Sequence, residues 1–298
     1  MKKVICVVGP TASGKTKLAI TLARHFNAEI ISCDSVAVYK DLNIGSAKPT
    51  LEEQAMAKHH LIDVLEPTDQ FDVATCQKMA RSIIDSKPLS ILCGGTGLYV
   101  QGVINNYEFN SPKRESSFAK EYDNFSNEEL YNKLAKLDLK KAAEIHPNNR
   151  KRILRALEAS MSGTNLSEAN RCHEKYYDSY IIYLDIDREI LYERINKRVD
   201  DMIAQGLEAE VKALYDKGIY PKAIGYQEWI PYFVGEVTKE STIEEIKKNT
   251  RHLAKRQKTW FKNQTDAKFY HVNLTDFSMT EKEIISDLEG FLKQWKYI

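Results

Sequence analysis

The sequence predicts an α/β fold in which a parallel sheet is flanked by helices and carries a helical insertion. Three observations predict it. An apolar run, KKVICVVG, leads through a glycine loop into a helical segment and then a second apolar run, EIISCDS, which is a βαβ opening. Two further runs, LSILCGG ending at Gly94-Gly95 and YIIYLDID near Tyr180, are short, apolar and separated by helical stretches, as strands of a parallel sheet are. Between about residues 110 and 178 the chain turns polar and helical.

The elements follow in order. KKVICVVG starts basic and turns apolar as a short signal peptide does, but stops at Gly9-Pro10 before a glycine loop, so it reads as a buried first strand. A helix spans about Lys15 to Phe26. LYNKLAKLDLKKAAEI and NRKRILRALEAS carry helical spacing and place a helical subdomain at 110–178, with 1–109 and 179–298 forming the core. After YIIYLDID, the last clear strand, the chain is mostly helical again, from Arg188 through Lys217 and from Ile243 through Lys262. No repeat or low-complexity linker interrupts it.

Composition narrows the function classes. At 298 residues, 43% hydrophobic and 29% charged, the chain has ample interior for a core and reads as a soluble enzyme. No segment approaches the roughly 20 apolar residues of a membrane span. Five cysteines (Cys6, Cys33, Cys76, Cys93, Cys172) lack CxxC spacing, which favours reduced thiols and a cytoplasmic location. The net charge of +1 conceals local asymmetry: KKNTRHLAKRQKTWFK, Lys247 to Lys262, holds seven Lys or Arg and no acid. Arg150, Lys151, Arg152 and Arg155 form a second basic cluster.

The strongest chemical signal is Gly9-Pro10-Thr11-Ala12-Ser13-Gly14-Lys15-Thr16. It satisfies GxxxxGK[ST] and lies between a strand and a helix, where that motif has to lie. Its glycines let backbone N–H groups turn inward, the helix N-terminus adds partial positive charge, and Lys15 adds a full one. Thr16 is placed to face a magnesium ion. A phosphate cradle does not name a reaction. Asp34 ends the second strand, where a parallel sheet presents side chains to a ligand crevice. There a carboxylate can accept a proton or hold a metal through water, or, with Ser35, simply cap the next turn.

GPTASGKT, CDSVAVYKDLNIGSAKP, HHLIDVLEP and GGTGLY appear in that order, followed by RALEA, RVDDMIAQGLEAEV, AIGYQEW and TRHLAKRQKTWF. Over nearly its whole length the chain thus resembles the tRNA dimethylallyltransferases. The resemblance implies a P-loop kinase-like core with a helical insertion. It implies magnesium-assisted transfer of the dimethylallyl group from dimethylallyl diphosphate to N6 of the adenosine immediately 3′ of the anticodon. By the same resemblance Asp34 is the general base, with Thr11 a second catalytic residue, and Thr11 to Thr16 hold the donor diphosphate. Asp34, Ser35, Val36 and Ala37 match a tRNA-contacting segment, and Thr96 lies in the GGT motif of the reaction channel. Lys151, Arg152, Ile153, Leu154 and Arg155 match a stretch usually written QRxxR, with Lys151 in place of the glutamine. The expected partner is the anticodon stem-loop, met by a chain expected to be a monomer.

Arg251, Lys255, Lys258 and Lys262 follow i, i+4, i+7, i+11 spacing and would share one helix face, with Leu253, Trp260 and Phe261 available for packing. Arg251, Lys255 and Arg256 are candidates for tRNA or diphosphate, against the alternative of a solvated charged face. Lys222, beside AIGYQEW, is a further diphosphate candidate. His59 and His60 point to opposite faces of a strand with no third ligand near, and read as structural. Trp229 and Trp260 read as core before base-stacking residues. Three rival functions share parts of this pattern: a small-molecule P-loop kinase, an adenylate isopentenyltransferase acting on free nucleotide, and an RNA-binding NTPase switch.

Overall fold

The computed structural model describes residues 1–107, 109, 116–162 and 174–293. They form two compact units, Met1–Ile104 with Tyr176–Ile298, and Asn105–Lys175.

The first unit is built on six strands: β1 (Lys3–Val8), β2 (Glu29–Ser32), β3 (His59–His60), β4 (Ser90–Gly94), β5 (Asp178–Asp185) and β6 (Lys268–His271). Their order is β3-β2-β4-β1-β5-β6, and every pairing is parallel. β1 has no polar alternation because all six of its residues are buried, as expected for a central strand covered on both faces. Its register sets Val8 opposite both Gly94 and Tyr183, so the carboxyl ends of β1, β4 and β5 lie side by side.

The helices of this unit are α1 (Lys15–His25), α2 (Leu51–Met56), α3 (Val73–Ser86) and α4 (Gly97–Ile104) before the helical unit. Within that unit lie α5 (Ser116–Glu121), α6 (Asn127–Leu137), α7 (Leu139–Ala143) and α8 (Arg150–Met161). The chain returns to the sheet unit with α9 (Arg188–Ala204), α10 (Leu207–Asp216), α11 (Ile230–Phe233), α12 (Lys239–Gln264) and α13 (Phe277–Lys293). On one sheet face Leu18 and Leu22 of α1, Ile195 of α9 and Ile284 and Leu288 of α13 pack with Ile5, Val7 and Ile182. On the other, Cys76 and Ala80 of α3, Val100 of α4 and Phe261 of α12 pack with Val4, Cys6 and Tyr183. A third cluster joins Leu42 to Val199, Leu207, Val211, Tyr226, Trp229 and Ile246. The helical unit has its own core of Leu130, Leu134, Ile153 and Leu157.

The stretch from Arg188 through Lys217 is mostly helical as expected, divided at Gly206, whose left-handed φ of 98° separates α9 from α10. One expectation is corrected: YIIYLDID is not the last strand, since Lys268–His271 adds an edge strand against β5, and α13 follows it. Only Tyr270 is buried in β6, so its apolar signal is weak. Cys6, Cys33, Cys76 and Cys93 are free thiols, while Cys172 lies outside the described residues. No helix is long and apolar enough to cross a membrane, among the described residues.

Candidate active site

The loop after β1 turns through left-handed conformations at Ala12 (φ 62°) and Gly14 (φ 94°) before α1 begins at Lys15. Gly14 is the N-cap and offers no side chain, so the first N–H groups of α1 keep their partial charge for an anion. Lys15 folds back over the loop, with Nζ donating to the Pro10 carbonyl at 2.6 Å. Burial strips water from its ammonium and brings its pKa down to about 8; Arg198 adds to the lowering and Asp34 opposes it. The Ser13 hydroxyl is buried without a hydrogen-bond partner. Thr16 is half-buried in the first turn of α1.

Asp34 lies two positions beyond Ser32, the last residue of β2. Its Oδ1 accepts from the backbone N–H groups of Val36 at 2.8 Å and Ala37 at 3.1 Å. The turn-capping role is therefore real, and it uses one oxygen. Oδ2 has no such tie, and the carboxylate is held in one orientation with that atom available as an acceptor.

Two cations from α9 meet this site, and sequence reasoning did not single them out. Arg194 Nε donates to the Ala12 carbonyl at 2.8 Å, and Arg198 donates to the Ala47 carbonyl at 3.4 Å. Burial lowers the Arg198 pKa while the Asp34 charge raises it, so the two groups share a local field. Their i, i+4 spacing beside the buried Leu191, Ile195 and Val199 was the available signal. The Ala47 loop is itself fixed by Glu210, whose carboxylate accepts from the N–H groups of Asn43, Ile44 and Gly45.

The long helix α12 crosses the carboxyl ends of the central strands. Gln257 Oε1 accepts from the Thr11 N–H at 3.3 Å, and its Nε2 donates to the Gly95 carbonyl at 3.1 Å. Next to it, Lys258 Nζ meets Asp185 Oδ1 at the end of β5 at 2.6 Å. Thr96 opens α4, its carbonyl accepting from Tyr99 and Val100.

The remaining candidates separate by environment. Lys255, Arg256 and Lys262 are exposed, whereas Arg251 donates to Asn196 at 2.6 Å and Lys258 is tied to Asp185. Lys151 and Arg152 are exposed on α8; Ile153 is buried in the core of the helical unit, Leu154 packs against it, and Arg155 pairs with Glu158 at 2.9 Å. Val36 packs against the third core cluster and Ala37 is buried, so of this segment Asp34 and Ser35 face outward most. Lys222 is exposed in the connection after α10. His59 Nδ1 lies 2.7 Å from the Ala57 carbonyl and His60 Nε2 lies 2.6 Å from Glu29. Trp229 is fully buried and Trp260 packs on the second cluster. Among the described residues no group of three or more His, Cys, Asp or Glu could hold a metal.

The IPP transferase family profile matches residues 37–264, and an isopentenyl transferase profile matches residues 2–65. A tRNA dimethylallyltransferase of Exiguobacterium sp. is 42% identical over 310 residues, covering 99% of each chain. The chain belongs to the IPP transferase family. Family members of known structure share its fold. The tRNA isopentenylpyrophosphate transferase of Bacillus halodurans is 39% identical with a TM-score of 0.76, covering 99% of this chain and 98% of the other. Crystal structures of a eukaryotic dimethylallyltransferase acting on tRNA superpose with a TM-score of 0.85 at 27% identity, covering 99% of this chain and 80% of the other. The IPP transferase fold thus extends across both described units.

Proposed function

We infer that this chain transfers the dimethylallyl group of dimethylallyl diphosphate to an adenine of tRNA, releasing diphosphate. The observation that carries this reading is the pairing, in one site, of an anion-binding loop with an acceptor carboxylate. Lys15 lies in the loop, and the charges of Asp34 and Arg198 both act on its ammonium.

The acceptor is N6 of the adenosine immediately 3′ of the anticodon. An exocyclic adenine amine is a poor nucleophile because its lone pair is delocalised into the ring. Asp34 Oδ2 takes the proton that N6 loses as its bond to the donor carbon forms. As the carbon–oxygen bond to diphosphate breaks, negative charge grows on the leaving oxygens. Lys15, Arg194, Arg198 and the first N–H groups of α1 meet that charge more strongly than they meet the ground state. Thr11 and Ser13 lie in the same loop, where the buried Ser13 hydroxyl supplies a donor for a phosphate oxygen.

The donor set fits magnesium held jointly with substrate. The Thr16 hydroxyl is too little for an all-protein cage but suits an ion that keeps water and phosphate oxygens. Bound there, magnesium would offset charge on the diphosphate. Extruding a stacked base for an enclosed site costs a few kcal/mol, which contacts to the surrounding loop and stem offset. The exposed Lys151, Arg152, Lys255 and Arg256 suit those phosphates. The chain is read as a cytoplasmic monomer.

The test is incubation with isotope-labelled dimethylallyl diphosphate and either tRNA or AMP, followed by mass spectrometry of the nucleosides. Label on N6 of one tRNA adenosine supports the reading. Label on AMP alone assigns the chain to free nucleotides, and nucleotide triphosphate turnover without label transfer assigns it to a kinase or switch.

A further inference from the structure

We propose that Gln257 is a positioning residue of the transfer reaction, its side-chain amide clasping the donor loop to the turn after β4. The inference rests on the donor diphosphate occupying the Thr11–Thr16 loop.

Gln257 is the only kind of side chain that suits both of its partners. One end of the amide accepts from the Thr11 N–H and the other donates to the Gly95 carbonyl. A carboxylate at this position would keep the first bond and set two acceptors against each other at the second. The turn is also shaped to receive it. A Cβ at Gly95 would stand 2.3 Å from Gln257 Nε2, although the Gly95 backbone is not left-handed. A Cβ there would displace the amide, so glycine at 95 leaves the clasp its room. One turn further along α12 the same relationship recurs, since a Cβ at Gly97 would stand 2.1 Å from Trp260 Cδ1. The helix thus seats two side chains into the side-chain-less positions of the GGTG segment.

The clasp fixes two parts of the site against each other. Thr11 opens the loop whose later N–H groups face the anion, and Gly95 directly precedes Thr96, the first carbonyl of α4. In a displacement at carbon, misplacing donor relative to acceptor by about 1 Å costs on the order of 10²-fold in rate. Gln257 touches neither substrate in this account; it acts through Thr11 and Gly95.

Gln257→Ala, Gln257→Glu, Gly95→Ala and the double variant Gly95→Ala/Gln257→Ala form the test. Turnover is measured per folded enzyme at saturating donor and tRNA, and inorganic diphosphate affinity is measured by calorimetry. The clasp predicts that Gln257→Ala lowers kcat by roughly 10²-fold while the tRNA KM stays near wild type. Diphosphate affinity should fall about fivefold, the equivalent of one net hydrogen bond. Gln257→Glu should lose as much as Gln257→Ala, since it breaks the Gly95 bond. Gly95→Ala should reproduce the loss of Gln257→Ala by displacing the amide, and add little in the Gln257→Ala background, where the colliding amide is gone. Wild-type kcat and diphosphate affinity in folded Gln257→Ala would overturn the clasp, as would fully additive losses in the double variant. A wild-type protein that fails to modify tRNA would overturn the functional reading instead, and the clasp is then judged on diphosphate affinity and the coupling between positions 95 and 257.

Discussion

Tyr226 occupies the space that a side chain at Gly45 would need: a Cβ there would come within 2.6 Å of its ring. The Tyr226 hydroxyl donates to Glu210 Oε1 at 2.8 Å, and the same carboxylate accepts from the Asn43, Ile44 and Gly45 N–H groups. Glu210→Ala would strand these donors together. It should destabilise the fold by roughly 2–4 kcal/mol, and Glu210→Gln by less, because the amide oxygen can keep part of the set. Urea unfolding of the three proteins measures this, and equal midpoints would remove Glu210 as the anchor of the loop.

Asp34→Asn should keep the turn intact, because Asn Oδ1 can still accept from the Val36 and Ala37 N–H groups. What it removes is the proton acceptor. Single-turnover transfer should fall by roughly 10²–10⁴-fold while tRNA and donor still bind. Near-wild-type transfer would exclude Asp34 as the base.

Lys15 gives a signed pH dependence. A diphosphate favours the charged ammonium, and in the free protein burial brings its pKa to about 8. Donor affinity should hold below that value and weaken as pH rises through it, by up to about tenfold per unit, with proton uptake on binding. Removing the neighbouring positive charge in Arg198→Gln should move the midpoint up, and removing the opposing negative charge in Asp34→Asn should move it down. Calorimetry between pH 7 and 10, in buffers of different ionisation enthalpy, reads both the midpoint and the proton. Midpoints that do not move would separate Lys15 from these two residues.

The basic helix faces divide into free and tied cations. If the free ones meet tRNA phosphates, Arg152→Ala, Lys255→Ala and Arg256→Ala should each weaken tRNA binding and lower the slope of log affinity against log salt by about 1. Lys258→Ala and Arg155→Ala, whose side chains already face Asp185 and Glu158, should change the slope less. Unchanged slopes across the first three would leave a solvated face.

The Gly9–Thr16 loop was legible because its shape is local: eight consecutive residues set the left-handed turns, the helix start and the lysine. β1 was legible because a strand buried on both faces leaves an unbroken apolar run. Asp34 was half legible, since a capping carboxylate and a proton acceptor look alike in sequence; the structure shows one oxygen in the cap and leaves the other without such a tie. Gln257, Arg194 and Arg198 were not, because each acts on a loop near the other end of the chain, and no spacing rule links residue 257 to residue 11. β6 escaped because a four-residue edge strand with one buried side chain carries almost no pattern. The two segments that match tRNA-contact motifs also mix surface and interior, as Ala37 and Ile153 show, and a matching motif does not tell which of its members face out.

The first strand takes one neighbour from residues 90–94 and the other from residues 178–185. During synthesis β1 and β4 can pair early, but the remaining edge of β1 stays open until the segment from 95 to 177 and then β5 have been made. That edge is apolar, and an unpaired apolar edge recruits strands from other molecules. A nascent or truncated chain ending before residue 178 is therefore the species most exposed to aggregation and to chaperone capture, and completion of the sheet comes late in translation.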